Sequence, residues 1–273
     1  MAKQLIAQPL PNFGVNGLNT QSNPNSLDPS YLTSADNIVL RESGRISFRK
    51  GLKQKVVPSG TSINSIVEHD DQGTNKIFAS HGTSIYTIDF TAPNAAFPSS
   101  GADVKHTVAD TTGDWQFINF NNRLTCLHTG VVPQRYDGAQ SSGSRWAAFD
   151  NATRPASVTS GEFKPSCGTG SYGRMWVGGV EEEKDVLHYS ALLDSDDYTT
   201  GNGGGSIDLK KVWDKDDIIA IAPFYGQLAV FGKNNIAIYE SPDVIGNIKL
   251  NEVIKGIGCV ARDSVQAIGD DLV

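Results

Sequence analysis

The chain has 273 residues, a formal net charge of −7 and 38% hydrophobic residues, with 28 glycines and 12 prolines. That length can bury a sizeable core as one large β domain or two ordinary domains. The acidic balance argues against a protein that holds nucleic acid by neutralising phosphates. Frequent turn formers between short runs rich in Val, Ile, Phe and Tyr indicate an all-β fold with almost no helix.

In chain order, residues 1–35 include "QPLPNFGVNGLNTQSNPNSLDPSYL", dense in Asn, Pro, Ser and Gly. This segment reads as an extended N-terminal arm, ordered mainly by what it touches. Residues 36–58 read as a basic β-hairpin leading into the main domain, with Ser43-Gly44 at its turn and Ile46 and Phe48 alternating with polar residues. Here Arg41, Arg45, Arg49, Lys50, Lys53 and Lys55 crowd 15 residues opposed only by Glu42, a surplus of +5 that leaves −12 for the rest. These six are candidates for an assembly interface that meets an acidic neighbour; a solvated hairpin edge is the alternative.

Residues 59–273 carry a repeat. Four segments, "KIFASHGTSIYTID", "RLTCLHTGVVPQRYD", "RMWVGGVEEEKDVLHYS" and "QLAVFGKNNIAIYES", share the order strand, turn, strand, tyrosine. Tyr86, Tyr136, Tyr189 and Tyr239 are spaced by 50, 53 and 50 residues, and Ile77, Leu124, Met175 and Leu228 open the first strands at intervals of 47, 51 and 53. The turns "DDQGTNK", "FNNR", "SYGR" and "FYGQ" precede them, offering Gly or Asn where a tight hairpin needs positive φ. Blades are therefore expected near 62–90, 115–137, 165–190 and 216–241, at the period of a β-propeller. The tyrosines are expected to pack between blades with their hydroxyls in water. A fifth unit starts at Val265–Ile268, turns at Gly269-Asp270-Asp271 and reaches Leu272, so the chain is expected to be a fragment of a longer protein.

Catalytic and metal signals are weak. Glu181-Glu182-Glu183, Asp194 with Asp196 and Asp197, and Asp216-Asp217 lie in loops and read as solvated acids rather than a glycosidase pair. "LDSDDYTTGNGGGSIDL" does not follow a calcium loop, and its glycines lack a phosphate-loop lysine. The five histidines form no metal motif; His81 and His128 occupy equivalent repeat positions. Cys126, Cys167 and Cys259 are far apart and read as reduced, buried thiols of a protein made in the cytoplasm. No enzyme activity, cofactor, metal or catalytic residue is assigned. No run of about 18 apolar residues suggests a membrane span, and no export signal is recognised.

"GVNGLNTQSNPNSLDPSYLTSADNIVLRESGRISFRKGL" resembles the opening of tail nozzle proteins (tail tubular protein B) of short-tailed bacteriophages, and "GIGCVARDSVQAIGDDLV" resembles one of their later blade segments. The resemblance covers directly about a fifth of the chain. It implies a structural virion protein, a homo-oligomeric, hexameric ring under the phage adaptor ring and near the tail fibres. DNA would pass through its channel during genome ejection without sequence-specific binding. Alternatives are a neck or baseplate propeller of a long-tailed phage, or a glycan-binding or glycan-hydrolysing propeller. Members of that family are longer than this chain.

Overall fold

The computed structural model describes residues 14–41, 45–51, 56–58, 62–88, 95–97, 105–108, 114–159, 161–213, 215–268 and 271–272. The chain divides into two compact units, Met1–Gln54 and Lys55–Val273.

In the first unit, β1 (Ile38–Arg41) and β2 (Arg45–Phe48) form the basic hairpin, with Ile38 opposite Phe48 and Arg41 opposite Arg45. The part of the arm described, from residue 14, folds back on itself instead of running extended. Leu18 and Leu32 form a parallel bridge, and the Leu32 amide donates to Gly17 O at 2.8 Å. Its polar side chains close local turns: Asn23 Oδ1 accepts from the Asn25 amide at 3.0 Å and Asp28 Oδ1 from the Ser30 amide at 2.8 Å.

In the second unit, β3 (Val56–Pro58) pairs in parallel with β7 (Ala95–Phe97). Four antiparallel four-stranded sheets carry the repeat. The first contains β4 (Ser65–Asp71), β5 (Thr74–His81), β6 (Ser84–Ile88) and β8 (Lys105–Thr107). The second contains β9 (Gln116–Phe120), β10 (Arg123–His128), β11 (Val131–Asp137) and β12 (Trp146–Ala148). The third contains β13 (Cys167–Ser171), β14 (Arg174–Gly178), β15 (Val186–Tyr189) and β16 (Gly205–Asp208). The fourth contains β17 (Ile218–Phe224), β18 (Gln227–Gly232), β19 (Asn235–Glu240) and β20 (Lys249–Lys255). A short hairpin of β21 (Ala267–Ile268) and β22 (Asp271–Leu272) follows. First strands of successive sheets touch: β4 with β9, β9 with β13, and β13 with β17. The fold is all-β and β-propeller-like, each sheet being one blade. Among the described residues, every helical element is a three-residue 3-10 turn.

Each first hairpin turns on two residues of positive φ: Gln72-Gly73, Asn121-Asn122, Tyr172-Gly173 and Tyr225-Gly226. That is the type I′ geometry whose twist matches paired strands. The fourth strand of each blade, absent from the sequence reading, lies at a sheet edge. In β20 five of seven residues are exposed, so the strand carries no apolar alternation to read.

Packing follows the period-2 alternation of the second strands. Leu124 and Cys126 of β10 face the first blade's Phe78 and Ile85, whereas Leu127, one residue on, joins Met175 and Val177 of the third blade. Trp176 of β14 points the other way, into a cluster with Leu228, Val230 and Tyr239 of the fourth blade. Each such large, fully buried side chain is worth about 1.5–3 kcal/mol relative to exposure.

The third blade's first strand, "CGTGS", escaped the sequence reading because its glycines give no apolar signal. They are required by close approach: a Cβ on Gly168 would lie 2.6 Å from Trp176 O and 2.9 Å from Leu127 Cδ1. Gly168→Ala should therefore lower stability by about 1–3 kcal/mol through overpacking. Gly201→Ala, where a Cβ meets nothing within 4 Å, should leave the thermal midpoint nearly unchanged. Parallel thermal melts of the two variants check this.

Candidate functional site

The six basic candidates divide. Arg41 and Arg45 sit at directly opposed positions of the β1–β2 hairpin. Arg49 and Lys50 are exposed, and their side chains have no partner among the described residues, while neighbouring Phe48 is 89% exposed. Lys53 and Lys55 lie outside the described residues. The hairpin thus offers unpaired cations beside an aromatic ring.

The acidic loops are less free than their sequence suggests. Between the second and third blades, Arg123 of β10 lies 3.3 Å from Asp137 and from Asp196, and 3.4 Å from Asp194. Arg135 of β11 pairs with Asp196 as well. Asn121 Nδ2 donates to Leu193 O at 2.6 Å, so the 193–196 loop is clasped onto the second blade. In the third blade, Glu183 accepts from Ser157 Oγ at 2.9 Å and lies 3.3 Å from His188 Nε2. Burial lowers the His188 pKa to about 4, so at neutral pH this contact is not an ion pair. Glu181 and Glu182 remain exposed. Asp197 accepts from the Thr199 amide and hydroxyl and from Asn202, which makes it a turn-closing residue. Asp216, buried, accepts from the Lys233 and Asn234 amides and from Asn235 Nδ2, holding the β18–β19 turn.

Among the described residues no group of three or more His, Cys, Asp or Glu is arranged to hold a metal. All three cysteines are free and buried; burial pushes the Cys167 thiol up to about 12. His81 and His128 each end a second strand and contact a backbone carbonyl at 2.8 Å, Ser62 O and Thr129 O respectively.

The repeat tyrosines all lie on third strands, opposite Ala79, Leu124, Trp176 and Leu228. They sit deeper than the sequence reading placed them: Tyr86, Tyr136 and Tyr239 are at most 5% exposed. The Tyr136 hydroxyl is not in water but accepts from Lys76 Nζ at 2.6 Å and donates to Asp71 Oδ2 at 3.2 Å. Packing of the second blade against the first closes off the rim where the Tyr136 hydroxyl was expected to be wet.

Two features have no counterpart in the sequence reading. A cleft of about 480 Å³ lies between the first and second blades, at the β4–β5 and β9–β10 turns, lined by Glu68, His69, Asp70, Phe120 and four asparagines. The other feature is the fourth blade's second face. Register places Ala220, Phe231, Ile236 and Ile254 side by side across the sheet, next to Ala229 and Ile238. This face is turned away from the third-blade cluster, and Phe231, Ile236, Ile238 and Ile254 stay partly exposed. Beyond it, Ile257 is 62% and Val260 93% exposed. The "FNNR" doublet, where other turns carry glycine, was the available signal for the cleft.

Burial, followed by the adjacent Asp194 carboxyl, pushes Asp196 up to about 6 despite Arg135 and Arg123. The hydrogen bond from Asp196 holds Asp194 below the ordinary carboxylate value. A carboxyl raised on folding binds its proton more tightly in the folded chain. Its contribution to stability is complete below the unfolded value of 3.8 and lost as pH rises through about 6. Asp196→Asn should remove that component. The stability difference between wild type and variant, from urea midpoints, should shift against wild type between these pH values and level off above.

No family model matches the chain, and no curated protein matches it. Solved structures of similar shape include BBS1N in complex with ARL6DN, with 13% identity, 88% of this chain and 68% of that chain covered, and a TM-score of 0.44. The AfRom2 CNH domain shares 12% identity over 83% of this chain, at a TM-score of 0.45, and this chain spans 62% of its length. Kluyveromyces lactis Hsv2 shares 11% identity, with 74% and 67% of the two chains covered and a TM-score of 0.36. These scores are too low to carry an argument, and the fold rests on the sheet order and blade packing above.

Proposed function

We propose that this chain is a structural subunit that assembles through its surfaces, in the form of a propeller-bearing component of a phage tail nozzle that rings the path of genome ejection. The observation that carries an assembly role is the fourth blade's second face. A sheet face of Phe and Ile side by side, flanked by exposed Ile257 and Val260, is the kind of surface that further β structure covers. The basic hairpin supports the same reading. Its unpaired Arg49 and Lys50 beside exposed Phe48 suit an acidic neighbour with an apolar spot, and the exposed Glu181 and Glu182 of another copy have the required charge. The net charge of −7 supports a wall that lets DNA pass without gripping its phosphates. The specific identification as a nozzle rests on the sequence resemblance of the N-terminal and C-terminal segments.

Native mass measurement and particle imaging test the proposal, with a closed hexameric ring and a DNA-wide bore expected. Reversing Arg45, Arg49 and Lys53 to glutamate should weaken the ring in a salt-dependent manner while far-UV circular dichroism stays that of the β fold. Assembly unchanged at low and high salt removes the electrostatic part; a wild-type chain that stays monomeric at every concentration removes the proposal.

A further inference from the structure

The cleft between the first two blades has chemistry that assembly does not use. Its base holds His69, 2% exposed, whose Nδ1 lies 2.7 Å from Asn119 Oδ1. Asn119 Nδ2 donates to Glu68 O at 2.8 Å, which fixes the amide and makes Nδ1 the protonated nitrogen. Nε2 is then an acceptor, buried and without a partner. At the rim, the Asn122 side chain makes no hydrogen bond among the described residues, and φ of 59° holds it in the turn. Asp70 spends one oxygen on the Gly73 amide at 2.7 Å and Glu68 one on Asn75 Nδ2 at 2.7 Å, leaving each a second oxygen. Phe120 supplies a partly exposed ring, and its far side covers Gly170, where a Cβ would come within 2.9 Å.

We propose that this cleft binds a neutral saccharide of roughly one or two rings. The lining decides the ligand class. Arg123, the one cation lining the cleft, already faces Asp137, Asp194 and Asp196, so an anion meets unbalanced carboxylates instead of a free positive charge. A simple cation would satisfy Glu68 and Asp70 but leave the amide donors of Asn122 idle. Sugar hydroxyls both donate and accept. Neighbouring hydroxyls match a carboxylate oxygen beside an amide, and the apolar ring face suits Phe120. The volume lies within the ordinary range of small-molecule sites, about 300–1,000 Å³.

The test is an array of immobilised neutral glycans probed with the full chain, followed by calorimetry with the best soluble hit and with maltose, lactose and chitobiose. Binding with a Kd of about 1 mM or tighter is expected, with Asn122 and Phe120 signals shifting in NMR spectra. Asn122→Gly removes the amide and suits the positive φ, while Asp70→Asn keeps the turn acceptor and removes the charge; each should weaken binding about tenfold, the loss of one good hydrogen bond. Asn247→Ala, in an exposed turn of the fourth blade, should bind as wild type. The proposal is overturned if no glycan binds, if both cleft variants bind as tightly as wild type, or if a lysine-rich peptide binds the cleft and saccharides do not. None of these outcomes bears on ring assembly.

Discussion

The second and third blades depend on neighbours on both sides to cover their two faces. A four-stranded antiparallel sheet normally buries one side and wets the other. Here Leu124 and Cys126 go to one blade and Leu127 to the next, and Met175 and Val177 are buried on one side of β14 while Trp176 is buried on the other. Single blades of this composition would expose a row of large apolar side chains, so stability belongs to the row. Tight glycine contacts follow from the same demand. The third blade's first strand comes so near Trp176 and Leu127 that Gly168 has no room for a side chain.

Polar groups at the blade junctions are subordinate to that packing and specify it. Lys76, Asp71 and Tyr136 join the first blade to the second, and Tyr172 Oη donates to Gln227 O at 2.8 Å to join the third to the fourth. The two arginines facing Asp194 and Asp196 hold a loop of the third blade against the second. Burial of Asp196 beside the Asp194 carboxyl is why that group keeps a proton more readily than an isolated carboxyl.

The two surfaces to which roles are proposed arise where the packing rule is incomplete. On the fourth blade, alternation supplies a second apolar face as it does in the third, and that face stays partly exposed. Between the first two blades, asparagines and acids line a cleft at the turns, whereas apolar side chains meet deeper in. One surface suits β structure and assembly; the other suits a small polar ligand. They are chemically independent.

The sequence by itself determined the all-β fold, the first three strands of each blade except β13 to within a few residues, and the position of the type I′ turns. These are local properties: apolar alternation, tyrosine spacing, and residues tolerant of positive φ such as Gly73 and Asn122. It did not disclose the edge strands, whose composition is unconstrained because water covers one side, nor β13, whose glycines answer to partners in other strands. The site lay further out of reach. His69 meets Asn119 at a separation of 50 residues and Arg135 meets Asp196 at 61, about one repeat away. No periodicity within a blade says which acid will face an arginine, which tyrosine hydroxyl will be buried, or which amides will share a cleft. Those were decided only when adjacent blades packed, because each is a contact across the junction between two sheets.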